Sequence, residues 1–304
     1  MKSRWRAWFW QALLLVGVLA MLAWLLGNTL ENMRSRGIQS GWDFLGQPVG
    51  FEIGETLIAY SPEDPFWRAF WVGLLNTLRV AVLGIVATTA LGLLVALARL
   101  SEHPIAQGFA RVYVEVFRNI PLLLQLLMLY VLLVEWMPDV DAPWQWGEAL
   151  FWSKAGLVWG VEPEAVFTLS PEFLALWGGL TLYTSAYVAE VFRAGLQAVP
   201  QGQWHGAMSL GLTRGQALRS VILPQAMRVA VPPLTSQYLN LTKNSSLAVA
   251  IGYPDLVSVA NTTMNQTGRA VECVAILMLV YLSLSLITAW AMNRYNQRVM
   301  AHVH

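Results

Sequence analysis

Long apolar runs alternate with short polar or charged segments along the 304-residue chain. A helix needs about 20 mostly apolar residues to cross the hydrocarbon core of a bilayer. Six stretches have about that length, although the fifth is much more polar than the others. The predicted spans cover residues 8–26, 70–98, 109–134, 173–192, 227–251 and 271–292. The pattern therefore predicts an all-α integral membrane protein with about six transmembrane helices.

Two apolar stretches need a separate interpretation. Residues 8–26 follow Lys2, Arg4 and Arg6, as a signal peptide would, but no small-residue cleavage site follows them. We therefore interpret them as an N-terminal membrane anchor. Residues 149–161 are too few to cross a bilayer. They could lie at the membrane interface, and the pattern leaves open whether they form a helix there.

Basic and acidic residues separate onto alternating connecting segments. The basic segments hold Lys2, Arg4, Arg6, Arg99, Arg111, Arg193, Arg214, Arg219, Arg228, Arg294 and Arg298. The acidic segments hold Glu31, Asp43, Glu52, Glu55, Glu63, Asp64, Asp139, Asp141, Glu148, Glu162, Glu164 and Glu172. Because basic connections stay in the cytoplasm, six spans place both termini there. Tryptophans such as Trp136, Trp144, Trp146 and Trp159 lie near the outer ends, as in aromatic belts.

The composition agrees with a membrane protein and narrows its chemistry. Charged residues make up 12% of the chain, about half the share of a soluble domain, and the mean hydropathy is +0.50. The net charge of +1 indicates no basic surface for nucleic acid. Cys273 is the only cysteine, and the histidines His103, His205, His302 and His304 are scattered. The sequence therefore predicts neither a disulfide nor a metal site.

The most informative segment, residues 199–226, lies between the fourth and fifth spans. It predicts a short helix over residues 201–210, a stop at Gly211 in a left-handed C′ position, and a second helix. Thr213 and Gln216 have the spacing of a capping box at the start of that second helix. Small residues leave one side of the first helix low, so it can dock in a groove of another protein. On these grounds alone, an ordinary amphipathic connector is an equal alternative.

This segment resembles the EAA loop of ABC importer permeases. Ala207, Gly211, Leu223 and Pro224 match its pattern, whereas His205 and Gly206 replace the usual Glu and first Ala. Residues 115–123 and 181–195 resemble signatures of polar amino-acid permeases, and residues 232–247 resemble the general L-amino-acid branch. The resemblance covers roughly residues 70–295.

The resemblance implies a type I ABC importer permease that carries L-amino acids, of unspecified kind, across a bacterial inner membrane. Residues 1–69 would form an N-terminal transmembrane anchor and periplasmic loop, residues 70–295 the transmembrane domain, and residues 296–304 a cytoplasmic tail. Residues 199–226 would contact the ATPase. The residues assigned to that contact are Gln203, His205, Gly206, Ala207, Ser209, Gly211, Leu223 and Pro224.

The resemblance also implies partners: a dimer of ATPase subunits, a second permease, a periplasmic amino-acid-binding protein and membrane lipid. Lys2, Lys154 and Lys243 are the only lysines, and none lies in a phosphate-binding P-loop. We therefore expect no enzymatic activity and no cofactor in this chain, with ATP and Mg²⁺ held by the ATPase. Because His205 replaces an acidic residue, we hypothesise that the second permease is a homologue with the full acidic motif; surface packing of His205 is the equal alternative.

The polar fifth span predicts a face that lines the translocation path, because polar groups at membrane depth seldom face lipid. Its candidate residues are Gln237, Asn240, Lys243, Asn244 and Ser245. Lys243 would either attract a substrate carboxylate or pair with Glu190 or Glu115; pairing is the interpretation we favour.

Two helical ion pairs are predicted from their three-residue spacing, Glu115 with Arg118 and Glu190 with Arg193. Pro121 is expected to kink the third span. Asp255 is expected to cap a short helix after the Gly252-Tyr253-Pro254 turn, rather than to lie at an outer gate.

Two other functions are compatible with parts of the sequence. An ion-driven secondary transporter is compatible with the polar fifth span, but the sequence has no internal repeat, and the 199–226 segment would have no role. A membrane enzyme or structural anchor lacks support, since no catalytic Ser-His-Asp set or carboxylate pair lies at matching depth.

Overall fold

A computed structural model describes residues 2–35, 37, 40–147, 149–161 and 164–301 of the chain. Four residues named above lie outside the described residues: the acidic Glu148 and Glu162 of the outer segments, and the histidines His302 and His304. The predicted tail is therefore described only as far as Ala301, the last residue of a long helix.

Ten α-helices form most of the described chain. They are α1 (Lys2–Ser35), α2 (Phe66–Leu100), α3 (Pro104–Asn119), α4 (Leu122–Trp136), α5 (Pro171–Gln197), α6 (Gln201–Ser209), α7 (Arg214–Ala217), α8 (Leu223–Asn244), α9 (Leu256–Thr267) and α10 (Ala270–Ala301). Four strands, β1 (Trp144–Trp146), β2 (Leu150–Ser153), β3 (Gly156–Val161) and β4 (Glu164–Leu169), form an antiparallel sheet in that order. Short 3₁₀ turns cover Asp43–Gly46 and Ser245–Ala250.

Three of the described helices, α1, α2 and α10, are long and apolar enough to cross a membrane. A fourth span results if α3 and α4 are counted as one broken span. Helices α5 and α8 contain 27 and 22 residues and are more polar. The helical membrane architecture predicted from the sequence is thus confirmed.

The predicted third span is broken. Helices α3 and α4 meet at an angle of 107°, with Ile120 and Pro121 between them. Proline has no backbone N–H and cannot continue a helix without losing a hydrogen bond. The buried Gln125 side chain donates to the carbonyl oxygens of Phe117, at 2.9 Å, and Ile120, at 2.7 Å. The expected kink is therefore a sharp corner, whose free carbonyl groups are bonded by a side chain that the sequence analysis did not single out.

The structure also settles residues 149–161, which form strands rather than an interfacial helix. They supply β2 and β3, and β1 and β4 flank them in an antiparallel meander between α4 and α5. The all-α prediction therefore holds for the membrane part, and this sheet is an addition at its edge. β-Branched and aromatic residues in the segment favour extended backbone.

Helix α5 is the centre of the bundle and packs against α2, α4 and α8. Glycines allow the close approaches. A Cβ atom on Gly92 of α2 would lie 2.5 Å from Val188 Cγ1 on α5, and one on Gly195 of α5 would lie 2.9 Å from the Ala226 carbonyl oxygen. Small residues at such crossings permit the van der Waals contact that joins helices in membranes.

The two ends of the bundle differ, and we name them by their charges. The basic end holds α6, α7 and the ends of α2 and α5, with Arg99, Arg193 and Arg214. The acidic end holds the sheet, α9 and residues 41–65, which we call the strap.

The strap closes on itself through hydrogen bonds from Val49 N to the Asp64 carbonyl oxygen, at 2.9 Å, and from Gly50 N to the Pro62 carbonyl oxygen, at 2.8 Å. Its Phe44 and Val49 are buried beside α2, α9 and α10. Glu55 forms a largely buried ion pair with Arg79 of α2. The strap is therefore tied to the bundle both by apolar packing and by a buried charge pair.

Asp255 sits at the start of α9, as its predicted capping role requires. Its Oδ1 accepts a hydrogen bond from Ser258 N at 2.8 Å. Nearby, Asn76 of α2 donates both to the Glu55 carbonyl oxygen, at 2.8 Å, and to the Pro254 carbonyl oxygen, at 2.9 Å. One buried amide thereby joins α2, the strap and the turn before α9. The helix cap predicted for Asp255 is confirmed.

We expect Gly92→Ala to destabilise the bundle by about 1–3 kcal/mol, because its methyl group overlaps the rigid branched side chain of Val188. Gly178→Ala is the matched control: its Cβ atom would meet only Leu129 Cδ2 at 3.4 Å, an ordinary contact. Thermal unfolding of the detergent-solubilised protein measures both. Equal midpoints for the two variants would show that the α2–α5 crossing is not tightly packed.

Candidate functional site

The first candidate site is the segment over residues 199–226, which we call the coupling segment. Two hydrogen bonds close the end of helix α6. Leu212 N donates to the Ala207 carbonyl oxygen at 3.2 Å, and Gly211 N donates to the Met208 carbonyl oxygen at 3.0 Å. Gly211 has φ of 81°. This is the Schellman geometry, in which a glycine occupies the left-handed position without a Cβ penalty. The stop predicted at Gly211 is confirmed.

The second half of the coupling segment leads directly into the membrane. Thr213 and Gln216 form the capping box predicted from their spacing. Helix α7 then passes through a π turn over Leu218–Ile222 into α8. Pro224 lies in the first turn of α8 and has no N–H to donate, which suits a place where the ordinary hydrogen-bond ladder is interrupted. Residues 214–244 thus form a continuous helical path from the basic end across the bundle.

The coupling segment packs on the bundle through its inner side. Leu196, Ile222 and Ala226 form a small buried cluster, and Trp204 of α6 packs against it. Ala207 is also buried. Trp204 and Ala207 therefore set the orientation of α6, and most of its other side chains are exposed.

Most of the residues assigned to ATPase contact lie on that outer side. Gln203, His205, Gly206, Ser209, Gly211 and Pro224 are exposed, and Leu223 is half-buried. Ala207 is the exception. Its side chain is buried in the interior of this chain, and its contact with an ATPase stays a prediction. The alanine of the motif permits close packing of α6 on the bundle.

Sequence reasoning missed the most exposed apolar residue of the segment. Leu210 lies at the end of α6 with 84% of its surface exposed, and Met208 beside it is 45% exposed. The sequence did contain an indication of this surface, since Met208 and Leu210 are large apolar residues in a mostly polar loop. A cavity of about 760 Å³ opens next to them, between α6 and the ends of α2 and α5, and is lined in part by Leu97, Trp204 and His205.

A charge cluster at the basic end joins the helices beneath this segment. Glu190 of α5 forms ion pairs with Arg193 of the same helix and with Arg99 at the end of α2. Arg193 also donates to Gln197 Oε1 at 2.5 Å. The structure thus contains the predicted pair of Glu190 with Arg193 and adds Arg99. In the sequence, Arg99 could have been noticed as a lone arginine at the end of a predicted span.

A second ion pair connects two loops at the basic end. Arg214 Nη1 of the coupling segment lies 2.6 Å from Glu102 Oε1 in the α2–α3 connection. The hydrogen bond from Arg214 holds the pKa of the Glu102 carboxyl below its ordinary value. Both side chains are largely exposed, so we assign this pair no more than a weak positioning effect.

The predicted pair of Glu115 with Arg118 is wrong for the described structure. Asn119 Nδ2 donates to the Glu115 carbonyl oxygen at 2.7 Å and to Glu115 Oε2 at 3.3 Å. The guanidinium of Arg118 instead lies 5.0 Å from the centre of the Tyr187 ring on α5. Near the sharp corner after α3, Asn119 donates to Glu115 and the Tyr187 ring lies beside Arg118, so the two charged side chains do not pair.

The second candidate site is a polar face of α8 that nothing in the described chain covers. Ser236, Asn240 and Lys243 are exposed, and Gln237 and Asn244 beside them are half-buried. The opposite side of α8 carries buried residues. Those residues are Ala226, Ala230, Val231, Leu234, Tyr238, Leu241 and Thr242. Helix α8 is thus apolar toward its own bundle and polar toward an unoccupied side.

Two residues predicted on this face behave differently. Ser245 is buried, and its hydroxyl donates to the Thr242 carbonyl oxygen at 2.8 Å, so it does not face the open side. Lys243 forms no ion pair among the described residues. Its favoured pairing with Glu190 or Glu115 is wrong, since Glu190 pairs with Arg99 and Arg193 and Glu115 accepts from Asn119.

The described chain is a helical membrane bundle with a short exposed helix at its basic end and an uncovered polar face on α8. A family model described as "Binding-protein-dependent transport system inner membrane component" matches residues 88–301. The chain is 39% identical to the putative amino-acid ABC transporter permease protein YhdX of Escherichia coli K12, over 97% of this chain and 94% of that protein. It is 36% identical to the general L-amino acid transport system permease protein AapQ of Rhizobium johnstonii, over 97% and 92% respectively.

The fold gives the same answer as the sequence comparison. A chain in the "Crystal structure of an amino acid ABC transporter with histidines" superposes with a TM-score of 0.60 and 30% sequence identity, covering 77% of this chain and 95% of that chain. The protein therefore belongs to the family of binding-protein-dependent transport system inner membrane components, the permease subunits of ABC transporters.

We expect Gly211→Ala to destabilise the end of α6 by about 1–2 kcal/mol, because an alanine Cβ is strained at a positive φ. Gly206→Ala is the control: it lies within α6 in open space at an ordinary helical φ, so it should strengthen the helix slightly. Hydrogen exchange of the α6 amides measures the difference. Equal protection in the two variants would contradict the assigned helix stop.

Proposed function

We propose that this chain is one of two membrane-spanning subunits of an ATP-driven importer that carries L-amino acids inward across a bacterial inner membrane. The supporting observation is its similarity along almost its whole length to permeases named for amino-acid transport. The coupling segment and the uncovered polar face of α8 supply the two surfaces that such a subunit needs, one for an energy source and one for a path.

The basic end faces the cytoplasm in this proposal, and both termini lie there. The support is the distribution of arginines, since basic segments remain on the cytoplasmic side. The coupling segment then meets a dimer of ATPase subunits that hold ATP and Mg²⁺. The acidic end, with the strap and the sheet, faces a periplasmic amino-acid-binding protein.

We assign the ATPase contact to the outer side of α6 and the residues after it. Leu210 and Met208 offer exposed apolar surface at the tip, and Gln203, His205, Gly206 and Ser209 surround it with a low polar surface. An apolar centre with a polar rim is the usual composition of a protein interface. Because residues 214–244 are helical throughout, a displacement of α6 and α7 would be transmitted to α8.

The second permease covers the open face of α8. Val229, Pro233, Ser236, Asn240 and Lys243 are exposed and follow one another at intervals of four, three, four and three residues. Such spacing places them in one seam along a helix. Because Ser236, Asn240 and Lys243 in this seam are polar, we propose that the path for the amino acid runs between the two permeases.

A homologous second permease is favoured over an identical copy. The relatives include two differently named glutamate/aspartate import permeases of Escherichia coli O6:H1, GltJ at 31% identity and GltK at 30% identity. His205 is exposed in place of the acidic residue usual in the motif. We propose that the partner permease carries that acidic residue, so that the two coupling segments of the complex differ.

Uptake driven by ATP tests the proposal and its coupling surface together. The complex is reconstituted into vesicles with ATP inside and amino acids plus binding protein outside. We expect uptake that survives collapse of ion gradients. Leu210→Ser should reduce both copurified ATPase and uptake about tenfold or more, since a buried leucine contributes about 1.5–3 kcal/mol.

Leu57→Ser is the control for Leu210, because Leu57 is a similarly apolar exposed leucine in the strap at the opposite end. It should leave ATPase copurification unchanged. Uptake that follows an ion gradient without any ATPase would overturn the proposal and favour a secondary transporter. Equal loss in both variants would remove the coupling segment from the interface.

Lys243 tests the path. We propose that its ammonium, free of acidic partners in the described chain, receives the substrate carboxylate. Lys243→Met should lower uptake about tenfold or more, because a charge-assisted hydrogen bond is worth about 1.5–3 kcal/mol. Lys243→Arg should retain most uptake. Lys154→Met, which removes an exposed lysine paired with Asp139 outside the bundle, is the control. Normal uptake by Lys243→Met would exclude the assigned role.

A further inference from the structure

Across strands β1, β2 and β3, one face of the sheet at the acidic end carries only apolar side chains. In antiparallel strands, directly paired residues project to the same face. Trp144 pairs with Trp152 and Trp146 with Leu150, and the next strand continues the same pairing. The members of this face, which we call the tryptophan face, are Trp144, Trp146, Leu150, Trp152, Leu157 and Trp159.

The outer part of the tryptophan face is uncovered. Trp144, Trp146 and Trp159 expose 58%, 56% and 59% of their surface. Lys154, in the turn that joins β2 to β3, is held by Asp139 and does not belong to this face. A large apolar surface without charge needs a partner, since monomeric proteins rarely leave such patches in water.

Helix α4, which precedes the sheet in the chain, carries an exposed apolar stripe. Leu124, Met128 and Val131 of α4 are exposed at intervals of four and three residues, and Trp136 ends the helix with 79% of its surface exposed. An uncovered apolar stripe on a membrane helix faces lipid acyl chains. Trp136 then marks the level at which the stripe reaches the polar headgroups.

We propose that the tryptophan face rests on the lipid surface, with its indole rings at the boundary between headgroups and acyl chains. The sheet lies no deeper, because open strand edges have unpaired backbone groups that the hydrocarbon core cannot satisfy. An indole has an apolar body and one N–H, the combination found at this depth. A transient docking surface for a soluble protein would carry about as much polar area as the rest of the surface.

Neither the transported substrate nor the path along α8 affects this placement of the sheet. The placement gives the sheet a mechanical role, since a sheet anchored on the lipid surface holds the acidic ends of α4 and α5 at a fixed depth. Only Ser170 separates β4 from α5, and residues 137–143 join α4 to β1.

Fluorescence of single cysteine-attached probes tests the proposal in the purified complex reconstituted in lipid nanodiscs. Cys273 is buried, so the unsubstituted protein serves as the labelling blank. Trp146→Cys carries an environment-sensitive nitrobenzoxadiazole probe on the tryptophan face. Gln145→Cys, its neighbour on β1, places the same probe on the opposite face.

We expect the probe at position 146 to lose most of its emission to lipids spin-labelled near the headgroup and little to aqueous iodide. The probe at position 145 should show the reverse. Trp144→Cys repeats the test at a second position, in case one tryptophan is needed for folding of the sheet. Iodide quenching at both 144 and 146, protection of these probes only on adding binding protein, or cross-linking of these cysteines to the second permease would each overturn the lipid assignment.

Discussion

Every backbone polar group at membrane depth must find a partner inside the protein, and this requirement governs the irregular parts of the structure. The corner between α3 and α4 is possible because Gln125 bonds the carbonyl groups of Phe117 and Ile120. The prolines of α8 remove donors from its ladder, and the helix nevertheless continues. At the α3–α4 corner, a buried side chain thus supplies the hydrogen bonds that the helix break leaves open.

Close helix packing follows from the same environment. Lipid is as apolar as a leucine side chain, so helices associate through close contact and not through exclusion of water. Gly92 and Gly195 permit such contact on two sides of α5. With α5 held at the centre, α8 is fixed by its apolar side and leaves its polar side open. The open face is thus a consequence of the packing.

The two ends of the bundle are held together differently. At the basic end, α6 rests on Trp204 and Ala207 and presents Leu210 outward, while Glu190 holds α2 to α5 through Arg99. At the acidic end, the strap is locked by buried packing and by the Glu55–Arg79 pair. In the proposed transport cycle, the firm strap resists movement while the helical path over residues 214–244 transmits it.

The sequence alone determined the features that depend on neighbouring residues. Hydropathy located the membrane helices, and spacing identified the helix stop at Gly211, the capping box at Thr213 and the cap at Asp255, because each involves hydrogen bonds over a few residues. The family resemblance of the coupling segment could likewise be recognised from a short run of the sequence, and the comparisons confirmed the family. Only the tertiary structure decided contacts between distant elements. These are the sharp corner between α3 and α4, the ion pair of Arg99 with Glu190, the burial of Ala207, the separate partners of Glu115 and Arg118, and the sheet that contains residues 149–161. Such contacts depend on packing, because side chains far apart in sequence compete for the same partners only once the chain is folded.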